Sequence, residues 1–330
     1  MFGAAEPKLG SLPPPWVDRL RALRDRLDPA ELRREVDSLP GPRNRFFSPQ
    51  PMAEADRRIR DALQETAWPA EIRPFTIPEL KLEGANVVAI KEGAEADAIV
   101  VVAHHDTVPD SVAADDNTAS VVAMLSLAGL LAPRSYRRSI VLAAVDMEEA
   151  GFFGAHALVE DLRPERRVIG AIVLETMSYT TTEPATQSLP PMVGALYRGQ
   201  VRRIRSRGSV GDFDNVMYRS DSAALAVRFA EALEHLAGRG TTVLTRDPLD
   251  LAIAPVLSRV APFVHDFARS DHVPFWEAGL PAIMINDTAD FRNPNYHRAS
   301  DTPDTLDYER LADLTAAVAV TVENAARPVG

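Results

Sequence analysis

Apolar and polar positions alternate along this chain in two distinct periods. Residues 16–27 carry apolar side chains at 16, 17, 20, 23 and 27, a helical spacing. Asp28 followed by Pro29 reads as an N-cap with proline at the first helical position, and it predicts a second helix to about Ser38, ended by Pro40-Gly41-Pro42. A third helix is expected over 51–66, with an exposed face of Arg, Asp and Glu. The period then changes. Residues 72–77, 86–90 and 98–103 are short runs of β-forming residues, and Ile99-Val100-Val101-Val102 is apolar without alternation. That is the mark of a strand covered on both faces.

Residues 139–145, 168–174 and 282–285 repeat the strand pattern. Between and after them, helices are expected over 118–131, 151–162, 222–236, 273–278 and 305–325. The first of these is apolar nearly all round, as a buried helix is. The last carries one stripe of Leu311, Leu314, Val318 and Val322. Strands alternating with helices predict an α/β fold, three layers with a mixed, mostly parallel central sheet. Residues 1–66 form an N-terminal arm and helices in this reading, and 67–330 the catalytic domain. The arginine-rich segment 180–212 reads as a loop insertion.

Composition narrows the chemistry. The chain of 330 residues has 36 Lys and Arg against 47 Asp and Glu, a net charge of −11, which disfavours bulk binding of nucleic acid. It contains no cysteine, which excludes disulfides, thiolate metal sites and cysteine nucleophiles. No apolar run approaches the ~18 residues needed to span a membrane. The N-terminus has no basic-then-apolar export pattern, so a cytoplasmic location is expected.

Polar residues gather at the predicted C-terminal ends of the strands, where open α/β sheets bind ligands. These are His104-His105-Asp106, Asp146-Met147-Glu148-Glu149, Glu175 and the loop Asn295-Tyr296-His297, with Asp115-Asp116-Asn117 just before the buried helix. Without thiolates a divalent ion must use imidazole and carboxylate. Zinc accepts that mixture, and cobalt and manganese accept it less selectively. Two ions about 3.5–4 Å apart need one shared carboxylate. Asp116 is the expected bridge, one ion taking His104, Asp116 and Glu175, the other Asp116, Glu149 and His297. Asp106 is placed to hold the His104 ring from behind. Glu148, beside a ligand, is the expected general base on a metal-bound hydroxide, and it would pass the proton to a leaving amine. Asp271, His272 and Tyr218 are expected to contact substrate or support the ligands.

These residues resemble peptidase family M28. His104-His105-Asp106, Ala114-Asp115-Asp116-Asn117, Glu148-Glu149-Ala150-Gly151, Leu174-Glu175, Ser270-Asp271-His272 and Asn293-Pro294-Asn295-Tyr296-His297, followed by Ser300-Asp301-Thr302, occur in the family's order. The resemblance implies a single α/β/α domain, two zinc ions, and aminopeptidase activity on short peptides or aminoacyl amides. It also implies a cis peptide after the bridging aspartate, here Asp116-Asn117. Glu175 stands where many members have Asp, and His105 where Tyr or Leu is commoner. The related glutaminyl cyclases share the fold and use one zinc, which makes a zinc amidase or cyclising acyltransferase the alternative.

Overall fold

The computed structural model describes residues 4–39, 41–252, 254, 257–258 and 262–329. Pro40, the first residue of the expected Pro-Gly-Pro helix stop, lies outside the described residues. Eight strands form one sheet: β1 Ala70–Ile77, β2 Leu82–Lys91, β3 Glu95–His104, β4 Arg138–Val145, β5 Arg167–Leu174, β6 Asp214–Tyr218, β7 Thr242–Arg246 and β8 Ala282–Asn286. Their order across the sheet is β1-β2-β4-β3-β5-β8-β6-β7. β4, β3, β5 and β8 run parallel; β2 is antiparallel to both β1 and β4, β6 is antiparallel to β8, and β7 is parallel to β6. The four parallel strands therefore end at one edge, and the loops leaving that edge carry the acidic and imidazole clusters.

The unbroken apolar run of β3 serves two cores at once. Ile99, Val101 and Ala103 point to one face, and Ala98, Val100 and Val102 to the other. On the first face lie α4 (Ala119–Leu131) and the long C-terminal helix α10 (Tyr308–Ala326). On the second lie α5 (Phe153–Leu162) and the short α9 (His272–Glu277). The α10 stripe Leu311, Leu314, Val318 and Val322 is wholly buried. Its N-terminus is capped by Asp307, whose carboxylate accepts the Arg310 N–H at 2.9 Å. That cap sets the helix start three residues after the expected one, and 303–305 is instead a short 3₁₀ turn.

At the N-terminus, α1 (Pro14–Arg24) and α2 (Pro29–Ser38) pack against α10, and α3 (Pro49–Glu65) packs on β1 and β2. Asp28 caps α2 as its sequence predicts, accepting the Ala30 N–H at 2.9 Å. The connecting segment threads towards the edge of the sheet that carries the clusters. The buried Arg43 guanidinium donates to the His105 carbonyl at 2.5 Å and to the Thr118 hydroxyl at 2.7 Å.

The segment expected to be a loop insertion is partly helical. A single turn, α6 (Val193–Leu196), leads into α7 (Arg198–Ser206). Its five arginines obscure an amphipathic pattern in which Val193, Leu196, Tyr197, Val201 and Ile204 face inwards. Arg203 pairs with Glu6 at 2.8 Å and Arg207 with Asp212 at 2.5 Å, so these two serve the local packing. Strands β6 and β7, five residues each and interrupted by polar Asn215 and Thr245, carry too short a pattern to read from sequence. The remaining helix, α8 (Ala223–Ala237), packs beneath them.

Candidate metal centre and adjoining cavity

His104 is the last residue of β3, and the connections after β3, β4, β5 and β8 supply the residues around it. The His104 Nε2 atom lies 3.1 Å from Asp116 Oδ1 and 3.4 Å from Glu175 Oε2. Across the same carboxylate, His297 Nε2 lies 3.0 Å from Asp116 Oδ2 and 3.4 Å from Glu149 Oε2. Asp116 thus faces one imidazole with each oxygen. Ligand atoms of His104, Glu148 and Glu175 all lie within 4.8 Å of one another, as do those of Asp116, Glu149 and His297. The buried His104 Nε2 and Glu149 Oε1 make no hydrogen bond. One unpartnered donor atom thus stands in each group, a buried nitrogen in the first and a buried oxygen in the second, and such atoms are what a cation of the zinc type requires, so the residues fit a metal.

Secondary contacts hold each donor. Asp106 accepts the Glu148 and Glu149 N–H groups through its two carboxylate oxygens, and its carbonyl lies 3.2 Å from His104 Nδ1. Asp301 accepts the N–H groups of Asp115 and Asp116 at 3.0 and 3.2 Å. Asn117 donates to the Leu174 carbonyl and accepts the Thr176 N–H, tying the Asp116 loop to the Glu175 loop. The Asp116–Asn117 peptide is cis. Ser270 donates to Glu175 Oε2 at 2.7 Å.

Charge is concentrated here. Burial opposes a charged His104, but the Glu175 and Glu148 carboxylates outweigh it and hold its pKa well above the usual histidine value. Burial likewise opposes a charged His297, and contacts with Asp116 and Glu149 raise it to about 10. Burial pushes Glu148 well above the ordinary carboxyl range. It carries Glu149 up to about 7, with Asp116 adding to the rise. Asp116 is drawn below its usual range because its two imidazole contacts outweigh burial. Without cations, protons must neutralise this cluster.

Other expected site residues are placed as follows. Asp271 is buried, and neither of its carboxylate oxygens has a hydrogen-bond partner among the described residues. Its nearest charges are those of the cluster, since His104, Glu175, Asp106 and Glu149 all act on it. His272 is packed edge-on against Trp276 with ring centroids 4.4 Å apart, and its Nε2 meets the Phe267 carbonyl at 2.8 Å. Burial lowers its pKa to about 4. Tyr218 does not reach the site. Its position on β6 turns it to the opposite face of the sheet, into the core shared with α8 and α10. His105 is also structural, bound at 2.8 Å to both Asp56 and the Val145 carbonyl. Local sequence assigns no role to Asp301 or Ser270; the fold brings Asp301 against the Asp115 and Asp116 N–H groups and Ser270 against Glu175.

Beside the cluster opens a cavity of about 130 Å³. Asp116, Glu148 and Glu175 line its inner end. Its floor is one face of β8, β6 and β7, with Met284, Asn286, Asn215, Met217, Val243 and Thr245. Val193, Tyr197, Val201, Ile204 and Phe267 cover it from α6, α7 and the turn before α9. The helical segment read from sequence as an insertion is therefore the roof of this cavity.

An open mixed sheet carrying two imidazole–carboxylate triads at the ends of its parallel strands defines a metallohydrolase-type site. A model of peptidase family M28 matches residues 86–322, and the chain belongs to that family. YfbL, an uncharacterized protein of Escherichia coli K12, is 28% identical over 328 residues, covering 94% of this chain and 92% of YfbL. Among solved structures, the aminopeptidase of Aneurinibacillus sp. strain AM-1 superposes with a TM-score of 0.68 at 15% identity, over 94% of this chain and 97% of that one. The Fimbriiglobus ruber glutaminyl cyclase superposes with a TM-score of 0.63 at 16% identity, over 97% and 98%. No helix among the described residues is long and apolar enough to cross a membrane.

Proposed function

We propose that this protein is a di-zinc aminopeptidase acting on short peptides or aminoacyl amides. The observation that carries the reading is the division of Asp116, whose two oxygens face different imidazoles at 3.1 and 3.0 Å. His104 and Glu175 would hold one ion, Glu149 and His297 the other, and Asp116 both. Bound there, the ions would act as Lewis acids on the scissile carbonyl and make water easier to deprotonate. Glu148 lies against the first triad and lines the cavity, so it can take the proton of an attacking water and hand it to the departing amine. The unpartnered Asp271 and the surrounding carboxylates favour a substrate with a protonated α-amine at the inner end of the cavity.

The test is elemental analysis of purified protein together with hydrolysis of leucinamide and of dipeptides, free and N-acetylated, before and after chelation. Two zinc per chain and cleavage only of free N-termini are expected. Cleavage of acetylated peptides at equal rate would remove the aminopeptidase reading. A glutaminyl-cyclase-like activity is the second reading, supported by the likeness to the Fimbriiglobus ruber fold. One zinc per chain and ring closure of an N-terminal Gln would favour it.

A further inference from the structure

One donor in the cavity has no acceptor. Asn286 is 3% exposed and closes β8, on the same face as Met284. Its Oδ1 accepts the Thr288 N–H at 2.9 Å, which fixes the orientation of the carboxamide. Its Nδ2 group is then left buried without a hydrogen-bond partner among the described residues, in a wall that runs from the apolar Met217 and Met284 to the polar Asn215 and Thr245. The neighbouring Asn215, paired with Asn286 in register, accepts the Thr245 hydroxyl through Oδ1 at 2.8 Å, and its Nδ2 group is a further donor in the same wall.

The sheet itself measures where this donor sits. β8 is the strand next to β5, which leads into Glu175, and the Glu175 N–H bonds to the Ile285 carbonyl at 3.0 Å. Neighbouring strands are about 4.8 Å apart, so Asn286 stands roughly one strand spacing from the Glu175 strand and Asn215 roughly two. A side chain entering from the reacting centre passes Asn286 before it reaches the apolar far end at Val243 and Ile204. Asp116, Glu148 and Glu175 at the inner end repel an anionic side chain, and the Arg269 guanidinium in the lining is already paired with Asp290 at 3.0 Å, so the acceptor that fits is neutral.

We propose that the Asn286 carboxamide is the specificity-determining donor of this cavity, selecting an N-terminal residue that carries a neutral oxygen acceptor, phenol or carboxamide, on an apolar stem. The proposal rests on the aminopeptidase reading and deepens it. A substrate oxygen satisfies the Nδ2 group, whereas a purely apolar side chain displaces water from it and leaves it bare.

The experiment compares kcat/KM of the zinc-loaded protein on the amides of Tyr and Phe, and of Gln and norleucine. The expected result is about tenfold in favour of the oxygen-bearing member of at least one pair. The two pairs show which acceptor, phenol or carboxamide, fits. In Asn286→Leu, with melting temperature and zinc content checked against wild type, the ratio should fall to near one. Calorimetric Kd values for tyrosinamide and phenylalaninamide supply a readout that needs no turnover. If no amide is hydrolysed but tyrosinamide binds about tenfold tighter, the activity reading fails and this one stands. Ratios near one for both pairs in the wild type would mean that water keeps the donor satisfied, and would overturn the proposal. A preference that survives in Asn286→Leu would overturn it equally.

Discussion

The Asp106 carboxylate accepts the backbone N–H of Glu148 at 3.1 Å through one oxygen, and that of Glu149 at 3.2 Å through the other. A residue two positions beyond one proposed ligand, His104, thus fixes the loop that presents another proposed ligand and the proposed base. Replacing Asp106 with Ala leaves two N–H groups without their acceptor and frees that loop. Zinc affinity is expected to fall about 10–100-fold, measured by competition with a chromogenic chelator. An unchanged affinity would show that the loop needs no such anchor.

Glu148→Gln keeps the size of the side chain and removes its proton-accepting charge. Zinc content is expected to stay at the wild-type level while kcat falls about 10²–10⁴-fold. Elemental analysis and steady-state kinetics on one preparation separate the two effects. Normal turnover in this variant would transfer the role of base to another group.

Asp116→Ala removes the carboxylate that faces both imidazoles. Both ions should be lost together, giving zinc content near zero by elemental analysis. Retention of one full equivalent would show that the two triads bind independently.

The metal-free protein should lose stability as pH rises. His297, raised to about 10, and His104, raised above its usual value, hold protons in the folded state that the unfolded chain releases near pH 6.5. Their contribution is complete below that pH and disappears as pH climbs through the folded values. Glu149, raised to about 7, acts in the same direction between about pH 4.5 and 7, because the folded state keeps a proton there that the unfolded chain has lost. Chelated protein should therefore melt at a lower temperature at pH 8.5 than at pH 6, and zinc should narrow the gap. A chelated protein with the opposite trend would contradict the charge balance described for this cluster.

Gly154 tests the packing behind the loop. An added Cβ would stand 2.3 Å from the Asp146 carbonyl oxygen and 2.5 Å from Asn86 Oδ1, both held in place. Gly154→Ala is expected to destabilise by about 1–3 kcal/mol in urea unfolding, with activity falling as the Glu148 loop shifts.

Much of the architecture was legible because burial imposes a period. The apolar run of β3, the all-round apolarity of α4 and the stripe of α10 each have one structural solution, and they took it. Asp28-Pro29 placed the start of α2 to the residue. The two helices within the 180–212 segment are hidden in the sequence for an equally physical reason. Its charged residues dominate the composition, while the inward positions of α7 are few.

By itself the sequence determined which chemistry was available. An acidic, cysteine-free chain with imidazole and carboxylate groups after several apolar strands offers nitrogen and oxygen donors but no thiolate, and ordered motifs point to the M28 family. Local spacing cannot say which distant residues meet. The division of Asp116 between two imidazoles, the Asp301 and Asp106 anchors, the exclusion of Tyr218 and the bare Asn286 donor were decided by tertiary structure. Parallel strand order brings four loop regions to one edge, and the two-residue period of a strand sends neighbours to opposite faces. Those facts exist only once the sheet has formed.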